Sequence, residues 1–430
     1  MNKYEKYKNS GVDWLGEIPE GWEVNKFKSI LTVHGRIGFR GYTVNDLVSE
    51  GEGAITISPS NMGDSNMIWD KVSYLSWKKY YESPEIMVEE NDLLLVKTAS
   101  IGKVAFVQNF NKKATINPQL LILKNISINR SFLYYQLISY VVQHQLMTEK
   151  IGSTIYTISE NKVLNFKAIN PPIQEQTAIA NFLDDKTAKL DQAIAIKKQQ
   201  IELLKERRQI IIHKAVTQGI NPDVKLKDSG VEWIGIIPEG WEVKRLKYIA
   251  QINYGISPNE KTYNDEEIGT VLVNGPVEYS KTDFGYTRSL KWTTEPVKFA
   301  KKGDLLFCLR GSTTGRLNIC HQDLSIGRGC ASIRANSNHQ FLIKAVIALK
   351  DKIIETFKGS TFPSITSFEL NNYSVPVPPI SEQKDIANYI ETATIKIAAA
   401  ISLKEQEIEK LKEYKSSLIN DVVTGKVKVF

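Results

Sequence analysis

The segment Pro171–Gly219, PPIQEQTAIANFLDDKTAKLDQAIAIKKQQIELLKERRQIIIHKAVTQG, constrains this chain more than any other. It returns near the C-terminus as Pro378–Gly425, PPISEQKDIANYIETATIKIAAAISLKEQEIEKLKEYKSSLINDVVTG. The paired prolines cannot continue a helix inward, so each copy predicts a helix that starts just after them. Glu175 and Glu382 fall in the first turn, where the helix dipole favours a carboxylate. Gly219 and Gly425 suit a C-terminal stop. About 44 residues at 1.5 Å each predict rods of roughly 65 Å.

The apolar positions repeat as heptads. In the first helix one row is Leu183, Leu190, Lys197, Leu204 and Ile211, and the other is Thr187, Ile194, Ile201, Arg208 and Ala215. At an offset of 207 positions the second helix gives Ile390, Ile397, Lys404, Leu411 and Leu418, with Thr394, Ile401, Ile408, Lys415 and Val422. The polar exceptions recur with the apolar rule, which marks a duplicated coiled-coil surface. A parallel, in-register pair would stack Lys197 on Lys404 and Arg208 on Lys415. Antiparallel registers set each basic stem against Ile or Leu, where it can snorkel. An antiparallel pair within the chain is therefore expected, with one body at either end of the rod.

The duplication extends beyond the helices. KNSGVDWLGEIPEGWEVNKFKSI at Lys8–Ile30 matches KDSGVEWIGIIPEGWEVKRLKYI at Lys227–Ile249, and GSTIYTIS from Gly152 matches GSTFPSIT from Gly359. The chain thus reads as two copies of one unit: opening motif, variable body, long helix. Trp14, Trp22, Trp233 and Trp241 of the opening motifs read as core or docking aromatics, with base stacking as the alternative role.

The bodies are nearly unrelated in sequence. Each has short apolar runs that predict strands, Ala54–Ser58 and Leu93–Val96 in the first, Thr270–Val273 and Leu305–Cys308 in the second. Each also pairs an Asp-Leu-Leu strand with a small-residue loop, NDLLLVKTASIGK at Asn91–Lys103 and GDLLFCLRGSTTGR at Gly303–Arg316. Amphipathic stretches follow at Ser131–Lys150 and Gln340–Lys358. These signals predict two α/β (α+β) domains, 1–170 and 220–377, joined by helices over 171–219 and 378–430.

Composition narrows the chemistry. The three cysteines, Cys308, Cys320 and Cys330, include no CxxC pair and read as free thiols; Cys320-His321 fits no common zinc spacing, so no metal is expected. No apolar run approaches the ~20 residues of a membrane helix, and the N-terminus has no signal-peptide character. A cytoplasmic protein is expected. The net charge of +7 invites nucleic acid but is spread without a basic block. There is no GxxxxGK[ST] phosphate loop and no evident nucleophile–base pair.

The ordered, duplicated set (GVxWxGxIPEGWEV, GST, PPIxEQ and a long helix with a Val-Thr-Gly-like end) resembles the DNA specificity subunit of type I restriction–modification systems, over essentially the whole chain. The resemblance implies that each body is a target recognition domain reading one half of a bipartite, asymmetric site in double-stranded DNA. It implies that the helices are a fixed-length spacer and a dock for two methyltransferase (modification) subunits, which restriction/translocase subunits join. S-adenosylmethionine, ATP and magnesium would sit on those partners, and this chain would hold no cofactor and no catalytic residue. Unlike bodies between like scaffolds fit that division of labour.

Candidate DNA contacts lie on loops and strand ends. In body one they are Arg36, Arg40, Lys97, Lys103, Lys112 and Lys113, with Asn117 and Gln119 as adenine readers. In body two they are Arg310, Arg316, Arg328 and Arg334, suited to a guanine edge or a phosphate. Two other readings use the same chain. Asn170-Pro171-Pro172-Ile173 resembles the Asn-Pro-Pro-aromatic motif of amino-methyltransferases, but Ile173 lacks the ring that stacks on a flipped base. A coiled-coil assembly protein with no DNA role is the third.

Overall fold

The computed structural model describes residues 2–63, 67–150, 156–281, 285–311, 313–356 and 364–430. It divides into two units: 1–197 with 406–430, and 198–405. The Gly-Ser-Thr segments that open at Gly152 and Gly359, and Ser312 within GSTTGR, lie outside the described residues.

The long helices span Ile173–Gln218 (46 residues) and Ile380–Val423 (44 residues), about 69 and 66 Å at 1.5 Å per residue. They begin directly after the proline pairs, as the sequence predicts. In the first unit, Ile179, Ala180 and Leu183 share a core with Leu418, Ile419 and Val422. In the second, Ile212, Ala215 and Val216 share one with Ile386, Ala387 and Ile390. In each unit the start of one helix packs beside the end of the other, so the pairing is antiparallel. Every residue of the predicted heptad rows is buried or half-buried, including Leu190, Ile194, Ile201, Leu204 and Ile211, and Ile397, Ile401, Ile408, Leu411 and Leu418.

The basic exceptions in these rows do more than snorkel. Lys415 Nζ donates to both oxygens of Asp191 at 2.7 Å, and Lys197 Nζ lies 2.6 Å from Glu407. Each lysine stem stays in the seam while its head meets a carboxylate on the facing helix. Both partners keep solvent contact, so a double-mutant cycle of Lys415→Ala with Asp191→Ala is expected to give a coupling below about 1 kcal/mol. The pair selects the register more than it adds stability.

The opening motif fastens these helices. Trp22 and Trp241 are each 1% exposed. The Trp22 indole Nε1–H donates to Glu175 Oε2 at 2.8 Å, and Trp241 does the same to Glu382 at 2.9 Å. The next residue completes the lock: Gln176 and Gln383 donate to the carbonyls of Pro171 and Pro378. The same rings abut the ends of the opposite helices. Gly425 (φ +74°) and Gly219 (φ +78°) lie so close to Trp22 and Trp241 that a Cβ would stand 3.0 and 3.2 Å from them. Only glycine meets both the left-handed backbone and that approach. Each tryptophan therefore holds the first turn of one helix and the last turn of the other. Trp233 also packs internally, stacked on Tyr373 at 5.7 Å, while half-buried Trp14 meets Tyr140 and His144 edge-on or tilted.

The two bodies share one fold despite their sequences. In the first, a four-stranded antiparallel sheet runs in the order Val104–Phe106, Leu93–Val96, Leu120–Lys124, Thr32–Gly35. In the second, the order Leu317–Ile319, Leu305–Cys308, Cys330–Ala335, Ala250–Tyr254 repeats it strand for strand. A five-stranded sheet lies beside each. Among the described residues it contains one parallel pair in each body, Ala114–Ile116 with Gly53–Ile57 and Leu324–Ile326 with Thr270–Val273.

Two-sided burial explains the apolar runs that mark these strands. Leu93 and Leu95 face the helices of the first unit, while Leu94 and Val96 face its five-stranded sheet. Leu305 and Phe307 face one side in the second unit, and Leu306 and Cys308 the other. A strand covered on both faces loses polar alternation. The three cysteines are free and buried in that inner layer; burial raises each thiol, Cys330 to about 12. The predicted stretch Ser131–Lys150 is two helices, Arg130–Ile138 and Tyr140–Glu149, broken where the Ser139 hydroxyl caps the second. No described helix is long and apolar enough to cross a membrane.

Candidate nucleic-acid interface

The antiparallel register sorts the candidate contacts by place. In the first body, Leu95 pairs with Val104 and Val96 with Leu120. Lys97, Lys103, Asn117 and Gln119 therefore gather at one end of the four-stranded sheet. In the second, Phe307 pairs with Leu317 and Cys308 with Cys330, which gathers Arg310, Arg316 and Arg328 at the equivalent end. Arg334 goes to the opposite end. Lys112 and Lys113 precede Ala114–Ile116 and sit at the far end of the five-stranded sheet.

Several candidates have partners within their own body. Arg36 is 5% exposed: its Nε donates to the Ile116 carbonyl at 3.2 Å, its Nη2 to Thr115 at 2.9 Å, and its guanidinium lies over the Tyr42 ring. Burial lowers its pKa from the ordinary value, an effect opposed by Tyr42 and Glu85. A guanidinium committed to three internal acceptors, the third being the Arg40 carbonyl at 3.4 Å, and a ring face is part of the packing. Arg40 pairs with Glu85 at 3.1 Å, and Lys97 lies 3.9 Å from Glu160. Arg334 pairs with buried Asp304 at 2.5 Å. Asp304 in turn accepts the Lys301 backbone N–H at 2.8 Å, so Arg334 stabilises a turn. Asn117 is nearly buried, its amide turned to Gln119 and its Oδ1 accepting the Gln119 backbone N–H.

The other candidates have no ion pair among the described residues. Gln119, Lys112, Arg310 and Arg328 are exposed, and Lys103 and Arg316 are half-buried at loop ends. Lys113 belongs to a cluster that sequence reasoning missed. Its Nζ donates to the Tyr81 hydroxyl at 2.9 Å and lies over the rings of Tyr81 and Trp77, which stack on each other and are both exposed. The equivalent place before Leu324 in the second body holds Asp323, so this cluster belongs to one domain only.

The loop beyond the sheet end carries backbone strain. Ala99 has φ +66°, a left-handed conformation that costs a residue with a Cβ about 1–2 kcal/mol; the matching position after Leu305–Cys308 is Gly311 at φ +91°. Ala99→Gly is expected to raise the stability of the first unit by about 0.5–1 kcal/mol, read as a shift in denaturant midpoint at unchanged slope.

The groups needed for amino-methyl transfer are already engaged. Gln176 Nε2 donates at 2.8 Å to both Asn170 Oδ1 and the Pro171 carbonyl, so the Asn-Pro-Pro run anchors the helix start. His321, beside Cys320, has its ring nitrogens 2.7 and 2.9 Å from the hydroxyls of Thr287 and Ser289.

Comparison with known proteins agrees with this architecture. The family model described as the type I restriction modification DNA specificity domain matches residues 19–206 and again 238–413. A putative type I restriction enzyme specificity subunit of Methanocaldococcus jannaschii, MjaX, is 29% identical, over 99% of this chain and 98% of the relative. A chain from a solved type I restriction–modification system superposes with a TM-score of 0.73 at 19% identity, covering 95% of this chain and 99% of that one. The HsdS subunit of Thermoanaerobacter tengcongensis has a TM-score of 0.53 at 18% identity, covering 95% of this chain and 98% of its own.

Proposed function

The chain belongs to the family of type I restriction modification DNA specificity domains, and from that premise we propose how its parts divide the work of a specificity subunit. Each body reads one half of a bipartite target in double-stranded DNA. The carrying observation is that two bodies of one fold present unlike side chains at the same sheet end: Gln119 stands where the second body has Gly329, and Thr98 where it has Arg310. Equivalent loops with different donors suit two half-sites of different sequence.

The long helices serve as spacer and as the dock for two methyltransferase subunits, with restriction/translocase subunits joining that core. Exposed apolar residues on the helices, Leu203 and Ile210 on the first and Ile395 and Leu403 on the second, supply contact area. S-adenosylmethionine, ATP and magnesium act on the partners, and this chain contributes recognition and position. It works in the cytoplasm, where the DNA is.

The test is base-resolved mapping of methylated adenines in the source genome with and without the gene. Loss of one two-part motif on deletion is expected. An unchanged methylation pattern contradicts the proposal.

A further inference from the structure

The two sheet ends of each body carry basic residues at equivalent positions, and only at one end are the equivalent cations both paired with a carboxylate of the described residues. Lys124 and Arg334 are equivalent through the pairings of Leu120 with Val96 and Cys330 with Cys308. Each is consumed internally, Lys124 by Asp92 at 2.9 Å and Arg334 by Asp304. Those aspartates play one role in both bodies, accepting the N–H three residues earlier at 2.8 Å.

At the other end, Lys103 and Arg316 are also equivalent. The Val96 N–H donates to the Lys103 carbonyl and the Cys308 N–H to the Arg316 carbonyl, both at 2.9 Å. The loop between is clamped alike in each body. Lys97 and Leu309 donate to the carbonyls of Gln119 and Gly329 at 2.8 Å, and accept from the N–H of Ile158 and Ile365 at 2.9 and 2.8 Å. Among the described residues no carboxylate pairs with Lys103 or Arg316; the Arg316 guanidinium uses one donor to hold the Ser280 carbonyl at 3.0 Å. A cation thus persists at one clamped place in two bodies of largely unlike sequence, and no carboxylate among the described residues takes up its charge.

We propose that Lys103 and Arg316 are the sequence-neutral contacts of the two domains, each binding a DNA backbone phosphate, while the non-equivalent side chains of the same sheet end read bases. The inference rests on the functional reading above and adds the division of roles within it. A phosphate is the one element that both half-sites share whatever their bases, so the residue that meets it can be common to both domains. Base readers must differ between domains, as Gln119 differs from Gly329 and Arg328 from Pro118.

The test uses the full chain in complex with its methyltransferase subunits and a library of duplexes with a randomised central region. Enriched sequences and the salt dependence of binding are measured for the wild type, Lys103→Ala, Arg316→Ala, Arg316→Lys and Arg328→Ala. Both alanine variants at the shared position are expected to enrich the wild-type motif unchanged. The slope of log K against log salt should be shallower by about 0.9, the value of one lost phosphate contact. Arg316→Lys should restore the slope, which separates charge from the Ser280 packing bond. Arg328→Ala should blur one half of the motif. A changed base preference in Lys103→Ala or Arg316→Ala overturns the inference, because those residues would then be readers. An unchanged slope overturns it as well, and loss of the methyltransferase from either variant would assign the position to a protein contact. A wild-type complex that enriches no sequence defeats the functional reading itself, and the inference with it.

Discussion

Trp22→Ala is expected to cost the first unit about 3–5 kcal/mol, the usual penalty for emptying a buried tryptophan site. The ring is 1% exposed and touches Tyr4 edge-on at 5.5 Å. Truncation leaves a cavity between the Glu175 turn and the Gly425 turn, where two long helices are fixed at once. Glu175 keeps only the Tyr4 hydroxyl, at 3.1 Å. Trp22→Phe refills most of the volume but removes the indole donor, so a smaller loss of about 1–3 kcal/mol is expected, set by the donor that the Glu175 carboxylate loses. Trp241→Ala should act the same way on the second unit through Glu382 and Gly219. Chemical denaturation of each variant checks this. A loss below about 1 kcal/mol in both would show that the indoles do not hold the helix ends together.

That joint was half legible in the sequence. The duplication exposes Trp22 with Trp241 and Glu175 with Glu382 as matched residues, and the first-turn position of the glutamates has a dipole rationale. The indole–carboxylate bond was not legible, because it closes across 153 and 141 residues of intervening chain. The helix seam was legible because heptad rows are local; the carboxylates that meet Lys197 and Lys415 were not, since they lie on the facing helix.

The bodies show the opposite limit. Leu93–Val96 and Leu305–Cys308 are readable as strands from apolar content alone. Their equivalence shows in sequence only as the shared Asp-Leu-Leu start and small-residue loop, because a strand buried on both faces tolerates any apolar residue. Arg36, Arg40 and Arg334 look like surface cations in sequence, and only the fold reveals Thr115, Glu85 and Asp304 beside them. Lys103 and Arg316 are candidates in sequence, but their equivalence is established only once the strand registers are laid side by side.

The second large effect concerns specificity. The junctions of the two bodies are interchangeable: the Phe27 N–H donates to the Phe166 carbonyl at 2.9 Å, and the Leu246 N–H to the Tyr373 carbonyl at 2.9 Å. A chain in which residues 31–165 also replace 250–372 should therefore keep both opening motifs, both long helices and the antiparallel seam. It would carry one recognition body twice.

Sequencing of methylated adenines in cells that express this chimera tests the central claim most directly. The account predicts a new target made of one wild-type half-site and its inverted copy, because each body brings its own reading and the paired scaffold is antiparallel. A retained asymmetric wild-type target, or a target containing neither wild-type half, would contradict the claim that the bodies alone choose the DNA.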